Sequence, residues 1–245
     1  MVGSRDSIAA PNTVLNTIVA DAFKEACDRL EKAEDFESAV HDLIKEYATE
    51  HSRIIFNGNG YSEEWAREAE RRGLPVINSM VDAIPALTTQ KAIRLFGAFG
   101  VFSKAELESR TEVQYETYAK AVNIEARTML QMAQRDFLPA MMKYAGSLAG
   151  TVLTLKSCGA DSEVEAEILN SLSSYIREAE EAGKLLEKVT LEAEGCPAGR
   201  KQACAFRDNV VPAMAKLRKP IDEAERIVER KSWPVPTYSD LIFEV

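Results

Sequence analysis

Apolar residues along the chain recur mainly at steps of three and four, the spacing of one helix face. Two textures follow from this. Over residues 1–102 the periodic stretches are short and separated by loops; over 103–232 they are long and nearly continuous. The segment "PNTVLNTIVADAFKEACDRLEKA" places Val14, Leu15, Ile18, Val19, Ala22, Phe23, Ala26 and Leu30 on one face, with Pro11 and Asn12 opening the helix. Asp35 is a natural N-cap for a second helix carrying Phe36, Val40, Leu43, Ile44 and Tyr47. A short apolar run, "RIIF", leads into "NGNGY". Ser62 then caps a third helix, with Glu63 and Glu64 in its first turn and Gly73 at its end.

Beyond Ser103 the pattern predicts three long helices. The first carries Tyr115, Tyr118, Val122, Ala126, Met129, Ala133, Phe137, Met141, Tyr144, Leu148, Val152 and Leu155, and Pro139 should kink it. Met132 and Met142 read as core filler beside that stripe. A second helix starts at Asp161 or Ser162. Its Ile168, Leu172, Tyr175, Ala179, Ala182, Leu186 and Val189 alternate steps of four and three, a heptad seam. After "EGCPAG" a third helix carries Ala203, Phe206, Val210, Met214, Leu217, Ile221, Ala224 and Val228, with bends expected at Pro212 and Pro220. Short connections imply antiparallel neighbours, so the fold expected is mainly α, ending in an elongated antiparallel three-helix bundle. The tail 233–245 is too proline-rich to continue the helix. Its Trp233, Tyr238, Leu241, Ile242 and Phe243 should dock.

Composition changes this picture little. The 245 residues carry a net charge of −9 with both signs interspersed, which argues against nucleic acid as the main partner. No apolar run reaches the length of a membrane span, and the N-terminus shows no signal pattern, so no membrane partner and a cytoplasmic location are expected. Cys27, Cys158, Cys196 and Cys204 form no CxxC pair and lie far in sequence from His41 and His51; free thiols are the simplest expectation. A Cys158–Cys196 link at one bundle end is the alternative.

Candidate chemistry is sparse. Asn57, Gly58, Asn59, Gly60 and Tyr61 could adopt positive φ and line up backbone N–H groups as an anion cradle. They match neither GxxxxGK[ST] nor GxGxxG, and Asn-Gly is equally a turn signal, with Tyr61 and Trp65 packing beside it. Glu63, Glu64, Glu68 and Glu70 alternate with Arg67, Arg71 and Arg72, the pattern of a solvated, ion-paired face. From spacing alone, no catalytic residue and no metal-ligand set emerges.

Four blocks in order, "PNTVLNTIVADAF", "EDFESAVHDLIKEYATEHSRIIFNGNGYSEEWAREAERRGL", "VNIEARTMLQMA" and "WPVPTYSDLIF", resemble the C-terminal part of type III glutamine synthetases, large ATP-dependent glutamate–ammonia ligases. The resemblance implies that residues 1–102 are the end of the catalytic domain, 103–232 a long-helix bundle and 233–245 a docked tail. It places the Asn57–Tyr61 loop at the edge of the catalytic pocket. It also puts the metal-binding glutamates, the nucleotide contacts and an active-site arginine upstream of Met1. The chain alone should then bind no cofactor, whereas an intact relative uses ATP and Mg2+. Expected partners are an upstream catalytic segment or further copies in a homo-oligomer. A non-enzymatic helical interaction module is the alternative.

Overall fold

The computed structural model describes residues 7–236 and 238–243. Among these the regular structure is helical, with no strand. No described helix is long and apolar enough to cross a membrane. The chain divides into two compact units, Met1–Thr111 and Glu112–Val245.

In the first unit, α1 (Ala9–Leu30), α2 (Phe36–Glu50), α3 (Glu63–Arg71), α4 (Met80–Ala83) and α5 (Gln90–Ala98) are joined by short 3-10 turns and loops. Their ends follow local chemistry. The Asp35 carboxylate accepts from the Ser38 N–H, and the Ser62 hydroxyl accepts from the Trp65 N–H at 3.2 Å. Gly73 closes α3 at φ 69°, with the Leu74 N–H donating to the Ala69 carbonyl and the Gly73 N–H to that of Glu70. Only glycine reaches that φ readily, which is why the helix stops there. The unit's core is small: Leu43, Ala69, Val81, Ile84, Phe96 and Leu107 are buried. Phe96 and Phe102 meet with ring centroids 5.4 Å apart.

The helix α6 (Lys104–Met132) opens on a reciprocal capping box. Glu106 accepts from the Ser103 N–H at 2.8 Å, while the Ser103 hydroxyl accepts from the Glu106 N–H at 3.3 Å. The second unit contains the rest of α6, then α7 (Leu138–Ser157), α8 (Glu163–Glu194), α9 (Arg200–Ala205), α10 (Val211–Glu225) and α11 (Tyr238–Phe243). Of the two possible caps for α8, Asp161 serves: its carboxylate accepts from the Glu163 N–H, and Ser162 makes no side-chain capping bond. One core draws on every long helix. Ala119, Val122, Ala126, Met141, Leu172, Ala179, Leu186, Phe206, Val210, Leu217, Ile221 and Ala224 are all buried in it. The seam read along α8 thus points inward, and α8 lies against both α7 and α10.

Two helix joints are π turns: Ala133–Phe137 between α6 and α7, and Phe206–Val210 between α9 and α10. Each closes on an i to i−5 bond, from the Leu138 N–H to Ala133 and from the Val211 N–H to Phe206. In each case a proline, Pro139 or Pro212, follows the turn after one intervening residue. Proline has no N–H and its ring crowds the carbonyl four residues back; a wider turn relieves that contact. The surrounding residues nearly repeat: Arg135-Asp136 precedes Pro139-Ala140-Met141, and Arg207-Asp208 precedes Pro212-Ala213-Met214. α10 continues through the buried Pro220.

The widened turns correct the expected core. Leu138 is buried and Phe137 only partly so; Ala213 is buried and Met214 only partly so. Met142, expected as core filler, is exposed. In the tail, Trp233 is buried with its ring 5.1 Å from that of Phe137, and Val235 packs on the same core. Leu241 and Ile242 are exposed, against the docking expected of them. The side chains of Tyr238 and Phe243 lie outside the described ones.

Candidate functional site

The Asn57–Tyr61 loop is held from both sides. Before it, Phe56 stacks on Trp65 of α3 with centroids 4.3 Å apart. Arg72, at the other end of α3, donates to the carbonyls of Arg53 at 3.1 Å and Ile55 at 2.8 Å, and its guanidinium lies over the Trp65 ring. Glu68 locks that arginine with a 2.5 Å contact and also pairs with Arg71. Hydrogen bonds from the two guanidinium groups depress the Glu68 carboxyl to about 2.

Inside the loop the polar groups are spent locally. The Asn59 side chain accepts from the Tyr61 N–H at 3.0 Å, and the Asn59 carbonyl takes both the N–H and the hydroxyl of Ser62. This is an Asx turn feeding the α3 cap. None of Asn57–Gly60 takes the positive φ that an anion cradle would use, so the loop follows the turn alternative and its backbone forms no nest of aligned N–H groups. Gly58 answers instead to close approach: a Cβ there would sit 2.6 Å from the Phe56 ring. Tyr61, expected to pack beside the turn, is exposed.

A second concavity lies in the other unit, beside the first π turn. It holds about 270 Å3 and is lined by Arg127, Leu130, Gln131, Gln134, Arg135, Glu187, Thr190 and Leu191. The Arg127 guanidinium is already engaged by Glu194, 2.5 Å away, which also accepts from the Asn123 amide at 2.7 Å. These contacts tie α6 to α8 and lower the Glu194 carboxyl below its ordinary value. The buried Thr190 hydroxyl donates to the Leu186 carbonyl. Sequence patterning does not reveal this cleft, because its polar stripe of Gln131, Gln134 and Arg135 looks like a solvated face.

The residues do not fit a nucleotide–metal centre. Among the described residues no group of His, Cys, Asp or Glu converges as a metal would require. The cleft is smaller than an ordinary ligand pocket and one of its two arginines is paired. The four cysteines are free thiols. His41 is exposed beside Asp42, and His51 lies against the Tyr47 ring.

An adjoining cavity of about 180 Å3 reaches Gly183 of α8. Gly183 is buried in mid-helix, and a Cβ there would meet nothing within 4 Å. Gly183→Ala should therefore stabilise this unit by about 0.5–1 kcal/mol, since alanine is the better helix former and has room. Denaturant melting checks this; a loss of stability would show the space is not open.

Comparison with known proteins places the molecule. Residues 39–156 match the family model of the glutamine synthetase C-terminal domain. The chain is 34% identical over 215 residues to a glutamine synthetase of Butyrivibrio fibrisolvens, covering 86% of this chain and 31% of the relative. It is 32% identical to the type-3 glutamine synthetase of Dictyostelium discoideum, covering 99% of this chain and 34% of the relative. With a glutamine synthetase of Bacteroides fragilis (strain YCH46) it shares 27% identity, over 98% of this chain and 34% of that protein. The chain belongs to the glutamine synthetase family, as a C-terminal part of the type-3 kind. It spans about a third of the length of the curated relatives it matches.

Proposed function

We propose that this chain is a supporting, non-catalytic piece of a glutamine-forming ligase. It acts together with a polypeptide that carries the catalytic groups, in a cytoplasmic homo-oligomer. The observation that carries the reading is a mismatch of extents: similarity runs along almost the whole chain yet reaches only a third of the relatives. Making glutamine from glutamate and ammonia at the expense of ATP needs divalent metal to gather the phosphates and positive groups to neutralise them. Among the described residues no metal-holding cluster forms: the carboxylates of α3 are bracketed by arginines, and the Asn57–Tyr61 loop uses Asn59's polar groups in its own turn. ATP and Mg2+ belong to the assembled enzyme.

The core of the second unit supports a scaffold role: its large buried side chains are apolar, and the buried Thr190 hydroxyl is turned onto the backbone of its own helix. The test is direct. The purified chain, given glutamate, ammonia, ATP and magnesium, should form no glutamine above the blank. Titration with ATP–magnesium should release no binding heat. Glutamine produced in proportion to the chain added would overturn the reading.

A further inference from the structure

Two oppositely charged side chains line one cleft without pairing. The cleft of about 270 Å3 lies between α8 and the wall made by α6 and its π turn, and its lining includes Arg127, Arg135 and Glu187. Arg127 reaches across to Glu194 at 2.5 Å. Arg135 stands eight residues further along the first wall, and Glu187 seven residues back along the second. At about 1.5 Å of rise per residue, each lies about 10–12 Å beyond that closed pair, on the next rung of the same antiparallel ladder. Among the described residues neither Arg135 nor Glu187 bonds a partner.

The π turn adds a third group. Leu138 gives its N–H to the Ala133 carbonyl, and Pro139 has none to give. The residues four and five positions on therefore both fail to close on the Gln134 carbonyl, an acceptor that a regular helix satisfies. Gln134 lines the cleft and the adjoining cavity of about 180 Å3 alike. On the α8 wall, Thr190 has committed its hydroxyl proton to Leu186, so its oxygen has only lone pairs left to offer. The adjoining cavity differs in kind: the buried Ala133, Leu138, Ala179 and Gly183 give it an apolar side.

A simple anion here would lie against Glu187 and a simple cation against Arg135, and like charges brought together in this way are unfavourable. A small zwitterion satisfies both. We infer that the cleft binds a free α-amino acid with an aliphatic side chain. Its carboxylate takes the Arg135 guanidinium fork. The three protons of its ammonium group go to the Glu187 carboxylate, the Thr190 hydroxyl oxygen and the Gln134 carbonyl. Its side chain enters the neighbouring cavity against Ala133, Leu138 and Ala179. The inference stands apart from the non-catalytic reading above, because binding is measured without turnover.

Titration calorimetry of the full chain with leucine is the test. Leucine should bind in the millimolar range, and glycine more weakly. Leucinamide, which lacks the carboxylate, and N-acetylleucine, which lacks the ammonium, should each bind about tenfold more weakly or worse, the effect of losing one charge-assisted contact. Arg135→Gln should weaken leucine by a similar factor and leave leucinamide unchanged. Glu187→Gln should weaken leucine and leave N-acetylleucine unchanged. Both positions are exposed, so both variants should keep the helical circular dichroism of the parent. Gly183→Leu should fill the adjoining cavity, abolishing the preference for leucine over glycine while glycine still binds. Should that variant fail to fold, the comparison of leucine with glycine on the unaltered chain decides the side-chain part. No heat with leucine up to its solubility limit overturns the inference. So does equal binding of leucine and leucinamide, or displacement of leucine by inorganic phosphate at equal concentration, which would make the cleft a plain anion site.

Discussion

Truncating Leu186 to alanine should destabilise the 112–245 unit by about 3–4 kcal/mol, the range for a leucine removed from a core that cannot collapse. Leu186 is fully buried and sits on α8, the helix that lies against both α7 and α10. The void would therefore open between elements pinned on two sides: by the Leu172 and Ala179 layers above it, and by Ala193 and the Arg127–Glu194 contact below. Leu185, one position earlier and 37% exposed, supplies the control. Leu185→Ala removes the same atoms from a site that water already reaches, and should cost less than about 1 kcal/mol.

Fluorescence separates this unit from the other. Trp233 packs on Phe137 in the core concerned, whereas Trp65 belongs to the first unit and can be replaced by phenylalanine as background. The urea midpoint read from Trp233 should fall by about 1–2 M with an unchanged slope. Equal losses for Leu185→Ala and Leu186→Ala would mean that α8 is not turned as described.

How much of this was readable beforehand depends on whether a feature is local. The α8 seam was, because an uninterrupted helix keeps its phase and Leu172, Ala179 and Leu186 then share a face by arithmetic. The same arithmetic slipped by one residue at Phe137 and at Met214, next to the two π turns, where the angular step between residues changes. The prolines announced a disturbance without saying which kind. For α1, periodicity identified Leu15, Ile18, Val19 and Phe23 as one face, but a pattern of spacing does not say whether that face is covered, and all four are exposed. The Asn-Gly loop is similar. Its turn character is written in Asn59 and Ser62, whereas the need for glycine at 58 comes from the Phe56 ring, and that ring is placed by its stack on Trp65. The polar cleft at Gln131, Gln134 and Arg135 was invisible because nothing in a sequence separates a polar groove from a polar surface.

Gly199→Ala should act in the opposite sense to Gly183→Ala, lowering stability by about 1–3 kcal/mol. Gly199 stands between α8 and α9 at φ 86° and ψ −145°, a region that side-chain-bearing residues avoid because Cβ crowds the backbone. Two effects overlap at this position. The first is the backbone conformation itself. The second is Glu112, whose carboxylate oxygen would lie 2.9 Å from the new Cβ. The backbone effect should dominate, since a glutamate side chain can swing aside and the φ angle cannot. Glu112 also faces the start of α9, where a negative charge is favoured by the helix dipole, so displacing it adds only a few tenths of a kcal/mol. Combining Gly199→Ala with Glu112→Ala distinguishes the two: the double variant should recover almost none of the loss. Full recovery would make the contact with Glu112, rather than the backbone, the reason glycine occupies the turn. An unchanged melting midpoint for Gly199→Ala alone would mean that α9 begins in some other geometry.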